Sequence, residues 1–173
     1  MLRYQQQADR DRFEIAWSMT RRVLGELTDT DPRALTFERR CQHCEDRRHG
    51  KPRLVSQARD AGRGLDFSIS HAADRVVLAV TDTGLVGVDV EAGTNTVDEL
   101  AGMILHPDEP IASGADLLRV WVRKEAVLKA TGHGIARPMI DVNLDDLPAG
   151  AGVRDVDADD GYVAAIATFP AER

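Results

Sequence analysis

Residues 117–131 constrain this chain more than any other stretch. Wound at about 100° per residue, Leu117, Leu118, Trp121, Val122 and Leu128 fall on one apolar arc. The arc is not clean. Glu125 lands between Trp121 and Leu118, and Lys129 between Leu118 and Val122. Lys124 lies on the shoulder beside Leu128, whereas Arg119 and Arg123 point the opposite way. A charge pressed against a core costs on the order of several kcal/mol unless something pairs with it. An i,i+4 pair between Glu125 and Lys129 suits an exposed face, where it is worth roughly 0.2–0.5 kcal/mol. An inward face asks for more, such as a cleft holding a metal ion or a phosphate. Gly132, with a second glycine in GHG, supplies the stop.

Around this helix the periodicities alternate. Residues 9–27 form an amphipathic helix with Phe13, Ala16, Trp17, Val23, Leu24 and Leu27 at helical spacing and Gly25 weakening its end. DTDPRAL follows as a turn, with room for a short second helix. HGKPRLV and DAGRGLD read as loop, short strand and loop. FSISH, RVVLAV and LVGVDVE then read as strands, the last two joined by the hairpin signal TDTG. RVVLAV is nearly all apolar, which predicts a central strand. Residues 97–105 are helical in pattern, HPDEPIASGAD is a loop, and MIDVNL and YVAAIATF are strands. Helices and strands interleave while adjacent strands join as hairpins, so the class is α+β rather than a parallel sheet.

The 173 residues fit one unit, 1–173, in two tightly packed halves of about 1–84 and 85–173. Residues 1–63 carry 14 Lys/Arg and 10 Asp/Glu, and residues 64–173 carry 8 and 19. This acidic balance excludes a generic nucleic-acid binder. It suits one side that grips an anion and another that holds a cation against it. No apolar run approaches the roughly 20 residues of a membrane span, and MLRYQQQADRDR has no apolar signal region. A cytoplasmic protein is expected. Cys41 and Cys44 have a metal-like spacing, but His43 and His49 do not close a zinc site with them, so reduced thiols, or an occasional redox pair, are favoured over zinc.

In LVGVDVE the side chains alternate, so Leu85, Gly87, Asp89 and Glu91 share one face. Two carboxylates so spaced lie about 7 Å apart at Cβ and repel unless a cation sits between them. Gly87 is expected to keep that face open. Glu125 adds a third carboxylate. Mg²⁺ favours a few carboxylates plus waters and substrate phosphates, and Lys124 and Lys129 alongside point to a metal-bridged diphosphate. In FSISHA, Phe67, Ile69 and His71 share a face opposite Ser68 and Ser70. His71 and the glycine, cation and proline of HGKP suit a nucleotide phosphate or base edge.

HGKP (49–52), FSISHA (67–72), GVDVE (87–91), HPDE (106–109) and WVRKEAVLKATG (121–132), in that order, resemble the 4′-phosphopantetheinyl transferases, in particular the surfactin-synthetase-activating type. The resemblance implies an α+β fold of two similar halves related by a pseudo-twofold, with coenzyme A in the cleft between them. It implies Mg²⁺, with Mn²⁺ as an alternative. It also implies transfer of phosphopantetheine to a serine of an acyl- or peptidyl-carrier protein, with release of adenosine 3′,5′-bisphosphate. By position, Asp89, Glu91 and Glu125 would hold the metal. Glu125, or a water on the metal, would take the serine proton. Lys129 and Lys124 would neutralise the diphosphate. Lys51, Pro52, Ser70 and His71 would contact the adenosine end and its 3′-phosphate, and Arg12 or Arg21 would add a phosphate contact. A monomer is expected, with a dimer as the alternative. Two rival readings are a non-catalytic module that binds coenzyme A or a carrier, and a metal-dependent phosphohydrolase.

Overall fold

The computed structural model describes residues 7–39, 46, 49–55, 64–110 and 112–171. Cys41, His43 and Cys44, and with them the zinc question, lie outside the described residues. Helix α1 spans Gln7–Thr28, followed by β1 (Phe37–Arg39), β2 (Pro52–Leu54), β3 (Asp66–Ala72), β4 (Arg75–Thr81) and β5 (Gly84–Ala92). Then come α2 (Ala101–Ile104), α3 (Gly114–Thr131), β6 (Gly152–Val156) and β7 (Tyr162–Pro170). Every strand pair is antiparallel, which agrees with the α+β expectation. No described helix is long and apolar enough to cross a membrane.

Helix α3 lies on a three-stranded sheet ordered β5-β7-β6. The residues at this contact are small. Ala126 and Ala130 of α3 share a core with Ala165 and Ala167 of β7. An added Cβ at Gly87 would stand 1.9 Å from the Ala126 carbonyl oxygen and 2.3 Å from the Ala130 nitrogen. Gly87 therefore does not keep its face open, as the sequence suggested. The backbone of α3 fills that space, and this close approach sets the helix over Asp89. Gly132, in the left-handed region at φ 75°, ends the helix where expected.

Helix α1, the β3–β4 hairpin and the short β1–β2 pair pack as one group. Its core holds Leu24, Leu35, Leu54 and Phe67, extended by edge-on contacts from Trp17 to Phe37 and from Phe37 to Phe67. The inward face of α1 runs Ala16, Thr20 and Leu24. Phe13 and Leu27, counted on the apolar face from sequence, are exposed.

Other sequence expectations are overturned as well. Strand β4 pairs with β3 and not with β5, so TDTG links two sheets rather than closing a hairpin. One edge of β5 belongs to β7, and on the other side β3 side chains take its N–H groups. Val86 N–H donates to Asp66 and Val88 N–H to Ser68 Oγ. RVVLAV is accordingly one strand of a two-stranded sheet, not a central strand. MIDVNL is a 3₁₀ turn at Met139–Asp141, its carbonyls turned toward Lys124 and Arg137. DTDPRAL forms a turn without a helix.

Candidate active site

The seam between β3 and β5 is polar because β3 alternates. Asp66, Ser68 and Ser70 occupy successive positions on one side of the strand and all reach β5. Ser70 Oγ donates to Asp89 Oδ1 at 2.7 Å. Lys129 Nζ donates to the same Oδ1 at 2.5 Å and to Ser70 Oγ at 2.9 Å. The Asp89 side chain is 5% exposed, yet its Oδ2 is buried with no hydrogen-bond partner among the described residues. A buried acceptor left unmatched costs about 1–3 kcal/mol. One oxygen of this carboxylate is thus held firmly while the other waits for a partner.

Glu91 and Glu125 feel the same field. Burial pushes the Glu125 carboxyl above the usual range; Lys129 pulls it back, and Asp89 and Glu91 push it further up. Burial and then Asp89 raise Glu91, against a hydrogen bond from Asn95 and the charge of Lys129. Among the described residues, no three His, Cys, Asp or Glu side chains already converge on one point as a ligand set. The donor set nonetheless suits a hard divalent cation: an orphaned carboxylate oxygen beside two carboxyls whose pKa burial and neighbouring carboxylates raise, a cost that a bound cation would relieve.

On the Lys129 side lies a cavity of ≈ 590 Å³. Arg39, His49, Lys51, Ser68, His71, Lys129 and His133 supply its polar lining, and Trp17, Pro52 and Leu128 much of the rest. Arg39 and His133 were not singled out in the sequence. Arg39 is brought in by its place over the Trp17 ring, 5.6 Å from the centroid. On the other side of Leu128 is a second, more apolar cavity of ≈ 390 Å³. Trp121, Glu125, Met103, Pro138 and Met139 line it, and Leu128 borders both.

Several cations expected at phosphates are committed elsewhere. Lys51 Nζ donates to Asp66, to the Val86 carbonyl at 2.9 Å and to the Ala130 carbonyl at 3.1 Å. Its three N–H groups are spent pinning β2 to β3, β5 and α3, so it holds the cavity wall. Burial lowers its pKa against the opposing hydrogen bond from Asp66. Lys124 is fully buried and donates to Glu109 at 2.6 Å, to the Ile104 carbonyl at 2.7 Å and to the Met139 carbonyl at 3.3 Å. It does not reach toward a diphosphate. Arg21 donates to the carbonyls of Pro32 and Leu35 and covers Phe37. Arg12 donates to the Ala73 carbonyl at the β3–β4 turn. Neither arginine is among the described residues that line the cavity. Ser70 is spent on Asp89 and Lys129 and acts as their brace.

Asp66 and Glu109 were given no role from sequence. HPDE hinted at the second, since Glu109 accepts the His106 N–H three residues back. Its bond to Lys124 spans a loop and leaves no local signal.

A profile of the 4′-phosphopantetheinyl transferase superfamily matches residues 85–167, the stretch from β5 through β7. The 4′-phosphopantetheinyl transferase HetI of Nostoc sp. (strain PCC 7120) is 31% identical over 177 residues, covering 91% of this chain and 70% of that protein. The 4′-phosphopantetheinyl transferase AcpT of Salmonella typhi is 33% identical over 93 residues, 48% of this chain and 46% of its own. AcpT of Escherichia coli (strain K12) is 32% identical over 81 residues, 39% of this chain and 40% of its own. The chain thus spans less than half of either AcpT, and its alignment with both is confined to part of its length. With the long HetI alignment and the profile agreeing on one enzyme family, this chain belongs to the 4′-phosphopantetheinyl transferase superfamily.

Proposed function

We propose that this protein transfers the 4′-phosphopantetheine group of coenzyme A to a serine hydroxyl of an acyl- or peptidyl-carrier protein, with Mg²⁺, releasing adenosine 3′,5′-bisphosphate. The observation that carries the reading is Asp89, with Oδ1 fixed by Ser70 and Lys129 and Oδ2 buried without a partner. Asp89, Glu91 and Glu125 would hold the cation. Bound there, it would offset charge on the diphosphate and lower the repulsion among the three carboxylates.

The chain's own residues divide the remaining work. The cavity with His49, His71, His133 and Arg39 takes the adenosine end and its 3′-phosphate. Pro52 shapes one wall and Lys51 holds that wall in place. Lys129 spends two N–H groups on Ser70 and Asp89 and keeps one for a diphosphate oxygen as charge moves to the leaving group. Glu125, its carboxyl raised by burial, takes the serine proton. The serine oxygen bonds to the phosphorus that bears the pantetheine arm, and the bond from that phosphorus to the bridging oxygen breaks. Two halves dividing near residue 84 and related by a pseudo-twofold belong to the same reading, as does a cytoplasmic, monomeric enzyme.

Incubation with coenzyme A, Mg²⁺ and a panel of apo-carriers tests it by mass spectrometry. The expected result is a phosphopantetheine mass shift on at least one carrier, abolished by a chelator and restored by Mg²⁺. Coenzyme A binding with no shift on any carrier would replace the reading with that of a non-catalytic binder. Phosphate release without a carrier would replace it with a phosphohydrolase.

A further inference from the structure

The Lys124–Glu109 pair is the most completely buried ion pair among the described residues, with side chains 0% and 7% exposed. Burying two charges is expensive, and a hydrophobic pair of equal volume is often as stable. Burial pulls the Lys124 pKa down against the opposing bond to Glu109. What the pair touches gives it a purpose. Lys124 holds the Ile104 carbonyl, at the C-terminal end of α2 where helix carbonyls lack intrahelical donors. It also holds the Met139 carbonyl, in the 3₁₀ turn beyond α3. Glu109 accepts the N–H groups of His106 at 2.8 Å and Leu144 at 3.2 Å. Two separate chain segments, 104–109 and 139–144, are thereby tied to one point on α3.

Each segment enters the lining of the apolar cavity at the end that Lys124 holds, through Ile104 on one and Met139 and Ile140 on the other. Leu100 and Met103 line it next to Ile104, Arg137 and Pro138 next to Met139, and Trp121 and Glu125 line it from α3. Met103 is 68% exposed at its edge. The nucleotide cavity includes none of these residues. Glu125 lines the apolar cavity and not the nucleotide cavity. The apolar cavity therefore gives a hydroxyl a way to Glu125 that does not pass through the nucleotide cavity.

We propose that Lys124 and Glu109 are positioning residues that set the width of the apolar cavity over Glu125, and through it the affinity for the carrier's serine-bearing segment rather than for coenzyme A. The assignment rests on the transferase reading above. It replaces the expectation that Lys124 contacts the diphosphate.

The test is the double variant K124M/E109Q, because K124M alone strands a buried carboxylate and risks unfolding. The glutamine oxygen can still accept one of the two backbone N–H groups that Glu109 takes on separate oxygens, while the two carbonyl tethers to Lys124 are lost. In transfer assays the carrier KM should rise at least tenfold, with the coenzyme A KM within twofold of the parent. A separate arm uses a Trp17→Phe background, in which Trp121 alone reports the apolar cavity. There, K124M/E109Q should at least double acrylamide quenching of Trp121 while adenosine 3′,5′-bisphosphate binding, followed by calorimetry, stays unchanged. A rise in coenzyme A KM with carrier KM unchanged would return Lys124 to the phosphates and overturn the proposal. Equal changes in both, or unchanged KM values and quenching, would also overturn it. If the parent modified no carrier, the transferase reading would fall, and the quenching arm alone would decide whether the pair shapes the cavity.

Discussion

Replacing Gly87 by alanine puts a methyl group into the backbone of α3. The added Cβ would stand 1.9 Å from the Ala126 carbonyl oxygen and 2.3 Å from the Ala130 nitrogen, where ordinary contact begins at 3.4 Å. Neither obstacle is the tip of a flexible side chain, so relief requires helix and strand to part by about 1.5 Å near this point. Glu125 and Lys129 travel with the helix while Asp89 stays with the strand. The Lys129–Asp89 contact of 2.5 Å would open to about 4 Å, beyond hydrogen-bond range. Overpacking of this kind costs about 1–3 kcal/mol, which for a chain this size lowers Tm by about 2–12 °C. Misplacement of catalytic groups by about 1 Å costs roughly 100-fold in rate. Carrier modification followed by mass spectrometry should therefore fall at least 100-fold under conditions where circular dichroism shows a folded protein. Gly152→Ala is the control, since nothing lies within 4 Å of the added Cβ, and it should leave both quantities unchanged. A G87A protein with transfer within threefold of the parent and an unmoved Tm would refute the claim that this glycine sets the helix over the site.

Glu125→Gln should reduce transfer by a factor of about 100 to 10,000, the usual range for loss of a general base. It should also raise stability in chelator at pH 7. Burial, then Asp89 and Glu91, hold the folded-state pKa above the ordinary value against the pull of Lys129. The metal-free parent therefore loses stability as pH rises from about 4.3 through the folded-state value, a loss that glutamine escapes. Melting curves at pH 4 and pH 7 check the sign, and a variant less stable than the parent at pH 7 would contradict it. Lys51→Met breaks a pair whose side chains are 9% and 14% exposed, at a cost of about 3–5 kcal/mol, and should lower Tm by roughly 6–20 °C. An unmoved Tm with a raised coenzyme A KM would instead make Lys51 a direct ligand of the nucleotide.

Much of this site was legible because it obeys simple periods. A 3.6-residue repeat put Glu125 and Lys129 on the inward arc of α3, and a two-residue repeat put Asp89 and Glu91 on one face of β5. The same alternation separated Ser68 and Ser70 from Phe67 and His71. What stayed hidden was the identity of partners. Lys124 and Lys51 read as spare cations because four of their acceptors are backbone carbonyls, which no residue type announces. Their carboxylate partners stand 15 residues away in each case. Gly87 signals close approach, but not whether ligand or helix makes it. The edge strand β6 was missed because its arginine and aspartate face outward, where Arg154 and Asp155 are exposed and Asp155 pairs with Arg123 at 2.7 Å. The supposed β4–β5 hairpin failed because β5 finds a longer partner in β7, with nine residue pairs in register from Gly84↔Pro170 to Ala92↔Tyr162.

In the proposed mechanism Asp89, Glu91 and Glu125 share one divalent cation with the diphosphate of coenzyme A. Mn²⁺ titrated into the protein with coenzyme A, read by phosphorus NMR, tests it most directly. The expected result is strong paramagnetic broadening of the two diphosphate resonances, more than of the 3′-phosphate, and loss of that difference in D89N and in E125Q. Broadening that persists unchanged in both variants, or a protein that binds coenzyme A but recruits no Mn²⁺ to it, would contradict the account.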